Sequence, residues 1–248
     1  MKKSVIIICF LLTILTISIR INIWLYHNNY QQYIKIQSLR LDPYELKRYQ
    51  MISDIPNNKD KPLVVFLGDS RAEAWSSPSN TPFVFVNRGI SGQTTEQILG
   101  RTSTHLNVLS PSIVIIQAGI NDLRNIPNFA LNSRDIIMNC KQNIQKIVNE
   151  IKNKSTSTII LTTIFPVGEP PIHIKPYWSS DVDKSIVEVN QFISSLKSDR
   201  VIIFDAYSIL SDNNQIINSK YSQDYLHLNG AGYAELNKEL LRILSLQI

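Results

Sequence analysis

Cysteine is scarce: Cys9 and Cys140 are the only two in 248 residues. Cys9 lies in an N-terminal apolar run, behind Ile8 rather than the small residue a lipidation site needs. That leaves Cys140 alone in the rest of the chain and excludes an internal disulfide framework there. A lone thiol names no compartment. Cys140 falls in a stretch with helical patterning and is expected to pack as a small hydrophobe.

Acidic residues are missing from the front. None precedes Asp42, whereas Lys2, Lys3 and Arg20 carry three of the five net positive charges and leave +2 for everything else. No lysine or arginine run interleaved with aromatics occurs, so nucleic acid is not an expected partner. No internal repeat is visible.

Charge of either sign is absent from residues 4–19, and after Arg20 the apolar character resumes through Ile21, Ile23, Trp24, Leu25 and Tyr26. At a rise of ~1.5 Å per residue, residues 4–26 cover roughly 34 Å. This is enough for a bilayer core, with Arg20 snorkelling to the interface beside Trp24 and Tyr26. A cleaved signal peptide shares the charged start and apolar middle, but residues 16–22 lack the small-x-small pattern of a cleavage site. The expected partition is a membrane anchor at 1–26, a stalk or spacer at 27–61 and a globular domain at 62–248. The polar stretch 27–61 also fits a first helix of the domain itself. Lys2, Lys3 and the terminal amine outweigh Arg20 and Lys35, which predicts an N-terminus in the cytoplasm and a domain outside it.

From residue 63 onward short apolar runs alternate with helical patterns. The runs lie at 63–67, 83–86, 113–118, 158–164 and 201–204, and the helical stretches near 94–108, 133–153, 182–198 and 230–246. Continuously apolar strands are covered on both faces, so the alternation predicts an α/β fold with a parallel sheet between helical layers. Ligands bind such sheets outside the carboxyl ends of the strands.

Four strand ends or loops carry polar groups of chemical use. The first run ends in Gly68-Asp69-Ser70, which exposes a hydroxyl at a strand-to-helix turn; a plain serine helix cap has the same signature. "NRGISGQTT", residues 87–95, holds Gly89 and Gly92, suited to a tight turn or to a backbone amide facing a ligand. "AGIND", residues 118–122, offers the Asn121 amide as a non-titrating donor, or as an ordinary turn residue. "DYLHLNGAGY", residues 224–233, sets Asp224 three residues before His227, so that in a helical turn the carboxylate would hold the imidazole in one tautomer. His105 and His173 have no carboxylate at that spacing, and His27 flanks the membrane segment. Each piece is weak alone, but their order supplies a nucleophile, oxyanion donors and an oriented base.

Taken together, Ser70 in "GDS", Gly92 in "GISG", Asn121 in "GIND" and His227 in "DYLH" resemble the four blocks of the GDSL/SGNH hydrolases. The resemblance runs from about residue 63 to the C-terminus, and "NRGISGQTT" looks most like the branch near platelet-activating-factor acetylhydrolases and carbohydrate acetylesterases. It implies a flavodoxin-like three-layer α/β/α sandwich with five parallel strands in the order 2-1-3-4-5. It further implies ester or thioester hydrolysis with no cofactor and no metal. By the same resemblance the catalytic residues are Ser70, Asp224 and His227, and the oxyanion hole is Ser70, Gly92 and Asn121. Arg71 stands where many members carry leucine, a departure expected to touch substrate preference more than activity. Asp69 is expected to be structural in its turn, and Asp122 to bond nearby backbone.

"GDSRA" comes close to the Gly-x-Ser-x-Gly elbow of α/β-hydrolases, but Ala72 replaces the last glycine. Those enzymes also bring the nucleophile after several strands and the acid well before the histidine. The expected substrate is a small-molecule, glycan or lipid ester. Alternative readings are a membrane-tethered sugar O-acyltransferase, a lysophospholipase or thioesterase, and a noncatalytic binding module. Residues 165–178, with four prolines and Glu169, His173 and Lys175 among their apolar residues, predict an extended loop and a short-acyl site.

Overall fold

The structure, a computed structural model, describes residues 2–49 and 61–247. It divides into two units, Met1–Lys47 and Arg48–Ile248. The first unit is dominated by one helix, α1 (Lys2–Leu41), about 60 Å long at the standard rise. Its most apolar stretch has a mean hydropathy of 2.5, and the helix is long and apolar enough to cross a membrane. The helix continues through the polar residues 27–41 because no glycine or proline interrupts them, and it stops just before Pro43.

The second unit is built on five strands: β1 (Leu63–Gly68), β2 (Val84–Gly89), β3 (Ile113–Gln117), β4 (Thr158–Thr162) and β5 (Val201–Phe204). All neighbours pair in parallel, in the order β2-β1-β3-β4-β5. After β1 comes α2 (Ser70–Glu73), after β2 α3 (Thr95–Asn107), and after β3 the short α4 (Ile120–Leu123) and long α5 (Ser133–Lys154). Helix α6 (Ser180–Ser195) follows β4, and α7 (Ala206–Leu210) and α8 (Gly230–Ser245) follow β5. This is the three-layer α/β/α arrangement expected from the sequence.

Alternation along each strand sorts the core into two layers. Val65, Leu67, Val114 and Ile116 face α3, α5 and α6 through Ile98, Ile144, Ile147 and Val189. Val64, Phe66, Ile113 and Ile115 face the other way, onto Trp75, Phe204 and the α8 residues Leu236 and Leu240. Cys140 is fully buried in the first layer as a free thiol.

Strand β2 runs on through Asn87 and Arg88, past the apolar run, because residues 63–68 pair with 84–89 in unbroken register. Asn87 is accommodated by its own side chain, which accepts the Gly89 N–H at 2.8 Å and donates to Ala72 O at 2.8 Å. The carboxyl ends of β1, β2 and β3 therefore finish level, with Gly68, Gly89 and Gln117 side by side.

Candidate active site

Ser70 is the first residue of α2, half-buried where β1 ends. Asp69 caps that helix: its carboxylate accepts the Arg71 N–H at 2.9 Å, the structural role expected of it. Ser70 Oγ lies 3.2 Å from His227 Nε2, although 157 residues separate the two in the chain. His227 Nδ1 in turn lies 2.8 Å from Asp224 Oδ2. The three side chains form a continuous relay at the edge of the domain, with the His227 side chain 34% exposed.

The segment carrying Asp224 and His227 is not the helical turn that their spacing suggested. Asp224 Oδ1 accepts the backbone N–H of both Leu226 and His227, each at 2.7 Å, so the side chain itself folds the chain into a bend. A bridge between Ser222 and Leu228 and a hydrogen bond from Gln223 N–H to His227 O at 2.9 Å close it. The acid is therefore both the partner of the imidazole and the organiser of the backbone beneath it. Partial burial pushes the Asp224 carboxyl up, but the hydrogen bonds from the His227 ring and from the two backbone amides outweigh it, and the group sits below the ordinary carboxylate range.

Two glycines in the turn after β2 serve different ends. A side chain at Gly89 would place a Cβ 2.1 Å from Glu73 N, so this glycine exists for the close approach of β2 to α2. At Gly92 a Cβ would meet nothing within 4 Å; what calls for glycine there is a φ of +79°. Among the described residues the backbone amides of Ser70 and Gly92 donate to no protein group. Asn121, in α4 and only 5% exposed, gives one amide hydrogen to Gln93 O at 3.0 Å and keeps the other.

Asp122 bonds backbone as expected, including that of a residue distant in the chain. It reaches Thr95 at the start of α3, accepting the backbone N–H at 2.9 Å and the hydroxyl at 2.6 Å, and so fastens the glycine turn to the Asn121 turn. Burial raises its carboxyl to about 6 against those hydrogen bonds. On the other flank Glu73 accepts from the Ser91 backbone N–H at 3.0 Å, from the Ser91 hydroxyl and from Arg48. The Tyr49 hydroxyl donates to Gly89 O at 2.6 Å, and the Arg88 guanidinium lies over the Tyr49 ring at 4.6 Å. Residues well before the first strand thus brace the same turn.

Sequence reasoning missed the buried Arg101, and it named Arg71 without seeing what its guanidinium holds. Arg101 donates to Gln93 Oε1 at 2.5 Å, to Arg88 O at 2.8 Å and to Gly68 O at 2.8 Å, joining β1, β2 and the glycine turn. The signal was present: Arg101 falls on the inward stripe of α3 with Ile98, Thr102 and His105, where an unpaired charge would be excluded. Arg71 does not face a substrate at all. It is fully buried, and its guanidinium donates to Leu226 O and Phe165 O, each at 3.0 Å, and to Pro166 O at 3.4 Å. Burial pulls it down to about 10, against the nearby Asp69 carboxylate, so it remains a cation at neutral pH.

The loop over residues 165–178 packs against the histidine segment. Gly168 N–H donates to Tyr225 O at 2.7 Å, and Trp178 meets the Tyr225 ring edge-on at 5.4 Å. Phe165 and Val167 point into the core, while Ile172 is 86% exposed. Among the described residues no group of His, Cys, Asp and Glu has the arrangement of a metal site.

Residues 66–235 match the family described as GDSL-like Lipase/Acylhydrolase. Subunit alpha2 of platelet-activating factor acetylhydrolase IB from Homo sapiens is 28% identical over 193 residues, covering 73% of this chain and 76% of its own. Among solved structures, a GDSL-like lipase from Bacteroides thetaiotaomicron superposes with a TM-score of 0.64 at 24% identity, over 83% of this chain and 99% of its own. A lipase/acylhydrolase from Enterococcus faecalis does so with a TM-score of 0.54 at 20% identity, over 74% and 95%.

Proposed function

This chain belongs to the GDSL-like lipase/acylhydrolase family and is a hydrolase acting on ester bonds; from that premise we propose that it cleaves short-chain, acetyl-type esters through a Ser70–His227–Asp224 relay. Ser70 Oγ attacks the ester carbonyl while His227 Nε2 takes its proton, and the tetrahedral oxyanion is held by the Ser70 and Gly92 amides and the Asn121 side chain. His227 then protonates the leaving alcohol and activates a water that releases the acid from Ser70. Asp224 holds the imidazole with Nδ1 protonated, so that Nε2 is the basic atom facing the serine.

The observation that carries this reading is the unbroken pair of contacts, 3.2 Å from Ser70 Oγ to His227 Nε2 and 2.8 Å from His227 Nδ1 to Asp224 Oδ2. The free Nδ2 hydrogen of Asn121 and the two unengaged amides supply the oxyanion donors in number and kind. The short acyl group is supported by the printed name of the human relative, an acetylhydrolase, and by the burial of Phe165 and Val167, which removes them from any acyl groove. Residues 1–26 act as a retained anchor that places the domain on the extracytoplasmic side of the membrane, where glycan and lipid esters are the accessible substrates.

The deciding experiment is covalent labelling with a fluorophosphonate followed by peptide mapping. Label on Ser70, lost in Ser70→Ala together with ester turnover while the thermal midpoint barely moves, is the expected result. Undiminished hydrolysis by Ser70→Ala would remove the serine from the mechanism.

A further inference from the structure

Arg71 follows Ser70 in the chain and Leu226 precedes His227, and one hydrogen bond joins them: Arg71 Nε–H to Leu226 O at 3.0 Å. We propose that Arg71 is a positioning residue for acyl transfer, a buried guanidinium strut that sets the approach of His227 to Ser70. The inference rests on the assignment of those two side chains as base and nucleophile.

The histidine segment has no regular structure of its own between the short helical turn at Ser219–Tyr221 and α8. Nor does the chain immediately after β4, where Phe165 and Pro166 lie. Backbone carbonyls in such segments, once buried, need donors. Arg71 supplies them from one rigid plane: Nε to Leu226, Nη1 to Phe165 at 3.0 Å and Nη2 to Pro166 at 3.4 Å. The planar fork fixes the direction of each bond as well as its length, which a single ammonium cannot do. The guanidinium carbon also lies over the Phe165 ring at 5.4 Å.

Residue 71 is held equally firmly at its backbone. Its N–H goes to Asp69 Oδ1 at 2.9 Å, and its carbonyl accepts the Tyr233 hydroxyl at 3.0 Å. The side chain therefore cannot shift without moving α2, whose first residue is Ser70. With no exposed surface it touches no substrate and takes no part in bond making. Its effect is geometric: the 3.2 Å separation of Ser70 Oγ and His227 Nε2 is spanned by a bridge anchored one residue from each. A leucine would fill similar space but leave the three carbonyls without their donor.

The test compares full-length wild type with Arg71→Lys and Arg71→Leu, purified in detergent and assayed with a short-chain nitrophenyl ester well below each thermal midpoint. Misplacing a catalytic group by about 1 Å costs on the order of a hundredfold in rate, so Arg71→Leu is expected to lose roughly that factor in kcat. KM should stay within about threefold, and fluorophosphonate labelling of Ser70 should slow in parallel with kcat. Arg71→Lys, which keeps the charge and one point donor, is expected to recover part of the loss, to about tenfold below wild type. A merely structural arginine would lower the thermal midpoint and leave kcat of the folded fraction intact. A folded variant of either kind with kcat within about threefold of wild type overturns the proposal, and if Arg71→Leu does not fold, Arg71→Lys decides alone. Failure of the underlying assignment is separate, since it appears as activity in Ser70→Ala whatever the Arg71 variants do.

Discussion

One carboxylate oxygen of Asp224 accepts the backbone N–H of His227 at 2.7 Å while the other meets that residue's ring Nδ1 at 2.8 Å. A single side chain thus holds both the backbone and the ring of His227, and in the proposed mechanism it sets which ring nitrogen is basic. Asp224→Asn separates the two effects. The amide oxygen can still organise the bend, but at the ring it no longer offers a charged acceptor, and the tautomer is lost. The expected outcome is a fall in kcat of about a thousandfold with a thermal midpoint close to wild type. Steady-state kinetics beside a melting curve checks it, and a loss below tenfold would argue that Asp224 is structural only.

Gly92 offers a test of the proposed oxyanion donors that leaves their chemistry in place. A methyl group there meets no neighbour, so Gly92→Ala acts through φ alone, at a cost of about 1 kcal/mol of backbone strain. If the Gly92 N–H faces the substrate carbonyl as proposed, relief of that strain rotates it away. A decrease in kcat of roughly 10- to 100-fold is expected, with little change in KM. An increase in KM at constant kcat would instead make the turn a binding element.

Two buried carboxyls make stability depend on pH in an unusual sense. Burial raises Asp69 from 3.8 to about 7, against the opposing Arg71 charge, and Asp122 from 3.8 to about 6. Between those limits the folded chain holds protons that the unfolded chain has released. Their contribution is fully present below the unfolded value near 4 and is lost as pH rises through 6 and 7. The thermal midpoint is expected to fall from pH 5 to pH 8 by on the order of 5 °C. Asp69→Asn keeps the acceptor for the Arg71 N–H and should flatten that slope; an unchanged slope would show that Asp69 is ionised throughout.

Acyl preference follows from where the loop after β4 puts its apolar residues. Phe165 and Val167 are committed to the core, and Ile172 stands out in solvent. A long acyl chain gains about 0.8 kcal/mol per buried methylene only where a groove exists to bury it. Acetyl and butyryl esters are expected to turn over faster than decanoyl esters. A kcat/KM that climbs steadily to decanoyl would replace the acetylesterase reading with a lysophospholipase or thioesterase one.

Topology is checked by protease applied to intact cells and to spheroplasts. If Lys2 and Lys3 lie on the cytoplasmic side, as proposed, the domain should be cleaved in spheroplasts at the latest. Protection in both preparations would reverse the orientation.

The sequence by itself determined the five strands and the long helices, because each is written locally: β-branched apolar runs for strands buried on both faces, and apolar stripes of period 3.6 for α3, α5, α6 and α8. It also singled out Ser70, Gly92, Asn121, Asp224 and His227, through their order along the chain and their resemblance to the four blocks of the GDSL/SGNH hydrolases. Tertiary structure decided how those residues meet. Ser70 and His227 approach across 157 positions through the sheet order, and the Asp224 bend replaces the helical turn because the carboxylate captures two backbone amides. Arg71 and Arg101 became intelligible only in three dimensions for a physical reason. Five of the hydrogen bonds from these two guanidinium groups go to main-chain carbonyls, and a carbonyl is the same group whatever residue carries it. No pattern of residue types announces such a bond; it exists once folding has brought the donor and the segment together.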